Sequence, residues 1–262
     1  MLVGDLVKAA IMAAPPTRAL VVRRRRRRGY DRRKDLTGYV REVFVRHLEA
    51  VGGRPSGRIL EVGPGGNLAT AALFIRHGAD RATVIDTEAL VHHSDVYREL
   101  ELDDLLDRVD YQFPVAIEEA GFPNNSFDFI YSHACYEHFS DPAAATHNIA
   151  RMLKPGGVTS HVIDLRDHRN FSKPLEFLKL SERRWRLASS YRSMPTNRWR
   201  APQLRSAFED AGLVIERFEV TERAKLNEQI RSSLATPFRE MPLDDLSVVG
   251  LLLVARKPAG AI

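Results

Sequence analysis

Two short runs concentrate side chains that titrate or ligate. Asp164-Leu-Arg-Asp-His168 sets two carboxylates and an imidazole within one turn's length, and Glu137-His138 sets a carboxylate beside a second imidazole. Imidazole titrates near neutrality, so His138 and His168 can take a proton from a hydroxyl at working pH. Asp164, His138 and His168 are therefore the candidate catalytic residues. The second run admits three chemistries: a general base, a divalent metal site, or hydrogen-bond clamps on a polyol. Hard cations take several carboxylate and water oxygens. The spacing permits a metal without demanding one, so no metal ligands are assigned. A plain surface arrangement competes, with Asp164 capping a strand end and Arg166 paired to Asp167.

A different kind of chemistry is written in Arg58-Ile-Leu-Glu-Val-Gly-Pro-Gly-Gly-Asn67. It reads as a buried strand running through a glycine-rich turn into a helix. Gly63 and Gly65 lack a Cβ and let the backbone approach a ligand closely. About twenty residues on, Ala82-Thr-Val-Ile-Asp86 ends a second β-rich run in an acid, placed to bind ribose hydroxyls. The turn lacks the last glycine of a dinucleotide fingerprint, where Leu68 stands, and lacks the Lys-Ser/Thr of a phosphate loop. Pro64 removes a donor that a pyrophosphate would use. A nucleoside ligand without phosphate suits the turn better, and Glu61 at the strand end can face a cationic group on it.

A third stretch, Ser181 to Arg200, interleaves cations with aromatics, among them Trp185, Tyr191, Arg192, Arg198, Trp199 and Arg200. Flat rings stack on sugars or bases, and arginine forks grip carboxylate or phosphate. Arg166, Trp185, Arg198 and Arg200 are the candidate substrate-binding residues. The bland reading makes the tryptophans core anchors with the arginines snorkelling around them.

The elements that must position these groups alternate along the chain. Strands are predicted at 58–62, 82–86, 109–112, 127–132, 157–163, 213–220 and 246–255. Helices are predicted at 35–51, 67–78, 88–93 with 97–106, 142–153 and 204–212. Alternation of this kind argues an α/β fold with a mostly parallel sheet wrapped by helices on both faces. In such a sheet, ligands bind beyond the carboxyl ends of the strands. That rule gathers Gly63–Asn67, Asp86, Ser132–His138 and Asp164–His168 around one crevice.

With those motifs in order, the chain resembles a class I S-adenosylmethionine-dependent methyltransferase, of the bacterial methyltransferase-11-like group. Glu61-x-Gly63-x-Gly65 resembles the family's first motif and Asp86 its ribose-binding acid. Asn125-Ser-Phe-Asp-Phe-Ile-Tyr-Ser132 resembles its fourth strand, and Tyr136-Glu-His138 with Asp141-Pro142 the segment after it. Arg151-Met-Leu-Lys-Pro-Gly-Gly157 resembles the turn into its fifth strand. The resemblance covers roughly residues 58 to 165. It implies a Rossmann-like seven-stranded sheet with strand 7 antiparallel, S-adenosyl-L-methionine as cofactor, and a helix at 35–51 closing over it. The cofactor-binding set it implies is Glu61, Gly63, Pro64, Gly65, Asn67, Asp86, Thr87, Ala116, Ile117 and Ser132. Two positions depart from the pattern. Asn67 replaces the third glycine, which asparagine's tolerance of left-handed backbone would allow. Ala116 stands where an acid often holds the adenine amino group. A looser likeness, to cell-surface polysaccharide and glycolipid methyltransferases, implies O-methylation of a small hydroxylated acceptor such as a sugar or a glycolipid glycan. An RNA methyltransferase and a non-catalytic methyltransferase-like binding subunit are the alternatives.

The net charge of +5 is an average over two unlike parts. Residues 18–34 carry Arg18, Arg23–Arg28, Arg32, Arg33 and Lys34 against Asp31, a sum of +9, which leaves −4 for the rest. Like-charged blocks stay solvated and often serve as interaction tails. The reading is a basic N-terminal arm, 1–34, ahead of a single methyltransferase domain, 35–262, with a substrate-selecting insert at about 165–203. Arg23–Arg28 can meet an anionic membrane surface, and nucleic acid less well, because the body is acidic. Cys135 is the one cysteine. It excludes an internal disulfide framework, fits a reducing cytoplasmic setting, and reads as a thiol in the cleft wall. The oligomeric state is left open.

Overall fold

Runs of Val, Ile, Leu and Phe with no polar alternation set the frame of the structure, because a parallel strand is covered on both faces. The computed structural model describes residues 35–90, 95–190 and 195–260, together with Leu20. Apart from Leu20, the expected N-terminal arm, 1–34, with Arg23–Arg28, lies outside the described residues, as do Tyr191 and Arg192.

Seven strands form one sheet: β1 (Arg58–Val62), β2 (Arg81–Ile85), β3 (Val109–Gln112), β4 (Phe127–His133), β5 (Leu153–Asp164), β6 (Val214–Arg223) and β7 (Val248–Arg256). Their order is β3-β2-β1-β4-β5-β7-β6. β1 pairs with β2 and β4 in parallel, whereas β7 runs antiparallel to both β5 and β6. The expected Rossmann-like architecture with an antiparallel seventh strand is present. The order reverses beside β1, which opens a crevice at the carboxyl ends of β1 and β4.

The helices are α1 (Leu36–Leu48), α2 (Ala69–Arg76), α3 (Asp95–Glu99), α4 (Pro142–Met152), α5 (Glu182–Ser190), α6 (Ala201–Asp210), α7 (Glu228–Ser232) and α8 (Leu243–Ser247). Strand alternation assigns them to faces. Leu60, Ile85 and Ile130 point to one side and pack with Ala145 and Ile149 of α4 and Leu204 and Phe208 of α6. Ile59, Val84, Phe129 and Tyr131 point to the other, against Phe44 of α1 and Phe74 of α2. Local chemistry starts the helices where the sequence suggests. Asp35 accepts from Gly38 N–H at 2.6 Å, and Asp141 accepts from Ala143 and Ala144 ahead of Pro142.

Three local expectations change. Residues 88–90 are not helical, and the helix expected over 97–106 is only the short α3 followed by a 3-10 turn at Asp103–Arg108. Glu101 takes a left-handed φ of 54°, which an α-helix cannot carry through. β5 begins at Leu153, earlier than expected, because the Lys-Pro-Gly-Gly turn is already paired to the sheet across an irregular register with β4. The cation–aromatic stretch contains a helix, α5, with Trp185 and Ala188 turned inward. With Leu175, Phe177, Leu178, Leu234 and Phe238 they make a third, smaller core beside the β5–β7 junction.

Candidate active site

The crevice is assembled from four strand ends. Val62 at the end of β1 stands in register with Ile85 of β2 and Ser132 of β4, and β4 in turn aligns His133 with Val162 of β5. One residue past β2 comes Asp86, and β5 ends at Asp164.

The glycine turn is tight for a physical reason. Gly63 and Gly65 have φ of 73° and 74°. A Cβ on Gly63 would lie 2.3 Å from the Cys135 sulfur. The thiol therefore belongs to the wall of the turn. Asn67 does not use left-handed backbone; instead its Oδ1 accepts from Ala69 N–H at 2.9 Å, an Asx-type turn that leads into α2. Pro64 lies half-buried between the two glycines.

Glu61 is buried beneath this turn. Its Oε2 and the neighbouring Tyr131 hydroxyl make no well-aligned hydrogen bond. Burial pushes the Glu61 carboxyl up to about 8; the Tyr131 hydroxyl and the Ala71 N–H draw it back only in part, and Asp86 adds to the rise. Asp86 is also buried and accepts from Glu88 N–H at 3.0 Å, while its main chain is tied to Gln112 and Val115. A Cβ-free turn, a buried carboxylate oxygen short of a donor and a buried acid on the next strand suit S-adenosylmethionine. Its ammonium group would meet Glu61, and its ribose diol Asp86.

The other expected cofactor residues divide. Thr87 is exposed beside Asp86 and Ala116 is half-buried. Ile117 is part of the core, with its carbonyl accepting from Asn148. Ser132 is a correction. Its hydroxyl is buried and bonded to His161 Nδ1 at 2.7 Å, so the side chain is not offered to the crevice. His161 is also bonded to Thr159, and burial pushes its ring down to about 3.

The two titratable runs do meet. His168 Nε2 stands 3.4 Å from Asp164 Oδ2 and 3.9 Å from Glu137 Oε1, and the His138 and His168 rings lie 5.1 Å apart. Arg166 binds Asp164 in bidentate fashion at 2.8 and 2.7 Å and reaches Glu222 at 3.2 Å, so the surface pairing of Arg166 with Asp167 does not occur. Asp167 is buried on Arg169. Burial opposes ionisation of Asp164, but His168 and Arg166 more than offset it and hold its carboxyl well below the usual range. Glu137, only 2% exposed, goes the other way. Burial pushes it up to about 8, with nearby N–H groups and Arg166 drawing it back in part and Asp164 adding to the rise.

Glu137 is the participant that sequence reasoning did not single out. Its signal was present, in the carboxylate next to His138. The turn Tyr136–His138 that carries it is clamped by Asn197, whose main-chain N–H donates to Glu137 O at 2.6 Å and whose side-chain amide donates to Tyr136 O and Phe139 O. The stretch between β5 and α6 thereby reaches back to the site.

A cleft of about 520 Å³ opens beside His138 and is lined in part by Trp185, Arg198, Trp199 and Phe238. Arg198 donates to Leu180 O at 2.6 Å, pairs with Glu182, and lies over the Trp185 and Phe238 rings. Trp185 contributes an edge but is mostly core, packed against Phe177. Arg200 is the second correction. It is fully buried, and its guanidinium donates to the carbonyls of Leu165 at 2.8 Å, Leu246 at 3.3 Å and Val248. Burial pushes it down to about 10. It ties the end of β5 to the α8–β7 junction and cannot reach a substrate.

Known proteins agree with this architecture. The chain is 33% identical over 116 residues to the ubiquinone biosynthesis O-methyltransferase of Alkalilimnicola ehrlichii, a match over 44% of this chain that spans only 43% of that relative's length. The crystal structure of an S-adenosylmethionine-dependent methyltransferase from Mesorhizobium loti superposes with a TM-score of 0.52 at 17% identity, over 80% of this chain and 95% of that one. The [4+2]-cyclase SpnF superposes with a TM-score of 0.53 at 21% identity, over 84% and 81%. A family profile described as a methyltransferase domain matches residues 31–217, so the chain belongs to the class I S-adenosylmethionine-dependent methyltransferase family.

Proposed function

We propose that this chain transfers a methyl group from S-adenosylmethionine to a hydroxyl of a small acceptor, and that the acceptor is a sugar, free or carried on a nucleotide- or lipid-linked glycan. The observation that carries the reading is the meeting of His168 with Asp164 and Glu137 at the end of β5, next to the cleft beside His138. The relative named for O-methyl transfer supports an oxygen acceptor.

When bound, the cofactor supplies an electrophilic methyl carbon and a neutral thioether leaving group. The chain supplies alignment and a place for the proton. Glu61 and the Gly63–Gly65 turn would hold the amino-acid end, and Asp86 would hold the ribose. The acceptor lies in the cleft, stacked on Trp199 with Arg198 at its edge. The imidazole cluster of His138 and His168 would take the proton of the acceptor hydroxyl. Asp164, kept ionised by Arg166, stabilises the imidazolium that forms. The insert at about 165–203 selects the acceptor through the Asn197 clamp.

The test begins with titration of S-adenosylmethionine into the wild type and Asp86→Ala, expecting loss of binding in the variant. An acceptor screen follows, starting from deoxysugar nucleotides and glycolipids. Asp164→Asn and His168→Ala are expected to keep cofactor affinity and lose at least about a hundredfold in turnover, the ordinary contribution of general acid–base groups. Unchanged turnover in both variants removes this cluster from the mechanism.

A further inference from the structure

Three buried polar atoms in the cluster make no well-aligned hydrogen bond: Glu137 Oε1, Glu137 Oε2 and His168 Nε2. Orphaned polar atoms are costly inside a protein, and one such group is uncommon. Here the Glu137 carboxylate and His168 Nε2 stand 3.9 Å apart, and a single cation between them would satisfy both groups. Glu137, His138 and His168 each present one ligand atom, all within 4.8 Å of one another. We infer that Glu137, His138 and His168 form a binding site for a divalent transition cation, zinc foremost, on the rim of the acceptor cleft.

The donor set favours that class of ion. Two imidazoles and one carboxylate suit zinc and its neighbours, whereas magnesium and calcium want oxygen throughout. Three protein ligands with an open fourth position are the pattern of a reactive zinc site. Surrounding contacts support the ligands as metal sites require. His138 Nδ1 lies 3.2 Å from Pro195 O; donating there, it leaves the lone pair on Nε2 and fixes the ring. The Asn197 clamp fixes the turn that carries Glu137 and His138. Asp164 stands 3.4 Å from His168 Nε2 and adds negative charge without being needed as a ligand, since Arg166 holds it. Zinc bonds of about 2.0–2.2 Å set ligand atoms roughly 3.5 Å apart, so the set must draw in by about an ångström. His168 and Glu137 are already at 3.9 Å. The neighbouring cleft provides the entry path and room for an acceptor oxygen at the open position.

The inference deepens the proposed O-methylation and rests on it for the use of the ion. A cation there would bind the acceptor hydroxyl and acidify it, so that the proton passes to solvent water in the cleft before the oxygen attacks, and the two imidazoles would then serve as ligands and not as the proton acceptor. The site itself can be tested without turnover. Full-length protein, purified without a histidine tag and stripped with a chelator, is titrated with Co²⁺ while visible ligand-field absorption is recorded. Zn²⁺ is then added in competition. One equivalent with tetrahedral or five-coordinate intensity, displaced by Zn²⁺, is expected for the wild type. Affinity should fall by at least about tenfold in Glu137→Gln, His138→Gln and His168→Asn, the loss that even an outer-shell partner causes. S-adenosylhomocysteine binding, followed in parallel, reports that each variant is folded. No stoichiometric uptake by wild type, or uptake unchanged in both histidine variants, overturns the site and returns the cluster to proton transfer alone. Failure of the cofactor to bind, with metal uptake intact, overturns the methyltransferase reading instead.

Discussion

At the scale of single residues, Glu61 shows how a binding group is kept at the expense of stability. A carboxylate under the glycine turn is useful to a cationic ligand, yet without one it is buried with an oxygen that lacks a donor. Its folded value of about 8 lies above the ordinary glutamate value of 4.5, so the native state holds the proton more tightly than the unfolded chain. That contribution is fully present below about 4.5 and is lost as pH rises through about 8. Glu61→Gln removes the ionisation. The ligand-free variant is expected to melt at least about 3 °C above wild type at alkaline pH, with the gap closing in acid, since one kcal/mol moves the midpoint of a domain this size by about 2–4 °C. The same variant should bind S-adenosylmethionine more weakly. Glu137 is raised likewise, so the pH slope is reduced and not abolished. Parallel melting scans across pH check this; a gap independent of pH would show that Glu61 is already ionised in the empty fold.

At the scale of elements, strands buried on both faces were legible because a continuous apolar run has few other uses. β1, β3 and β4 begin where the sequence places them. Pairs of groups far apart in the chain were less legible. Glu137 meets His168 only because β4 and β5 are neighbours in a particular register, and no local pattern encodes that. Arg200 was misread for a related reason. Composition cannot tell an arginine that meets a ligand from one that ties backbone together, and here the answer depends on three carbonyls from Leu165, Leu246 and Val248. This gives a prediction at the same scale. Arg200→Met leaves those carbonyls without their donor and should destabilise the protein by about 1–3 kcal/mol for each acceptor left buried and unpaired. Arg200→Lys should recover only part, because one ammonium cannot span the fork. Chemical denaturation measures both. A methionine variant as stable as wild type would mean that β5, α6 and the α8–β7 junction hold together without the clamp.

At the scale of the whole molecule, charge is divided along the chain. The arginine-rich stretch sums to +9 and the remainder to −4, and the family match starts at residue 31, just past Arg23–Arg28. Among the described residues no helix is long and apolar enough to cross a membrane. The clustered arginines could meet an anionic surface, at about 1 kcal/mol per basic residue close to the lipid. Removing residues 1–30 takes away seven arginines, Arg18 and Arg23–Arg28, and leaves the family match whole. Full-length protein is expected to sediment with phosphatidylserine vesicles at low salt. Retention should fall steeply as ionic strength passes about 0.15 M, where the screening length is about 8 Å. The shortened chain should stay in the supernatant while binding S-adenosylhomocysteine as before, because every candidate cofactor residue, from Glu61 onward, is retained. Equal sedimentation of the two chains, or equal binding to neutral vesicles, would place the attachment elsewhere. Competition by RNA at matched salt separates a lipid-seeking arm from one that accepts any polyanion, since charge alone draws both. A lipid-linked acceptor would then be met by an enzyme already held at its surface, with selectivity left to the cleft beside His138.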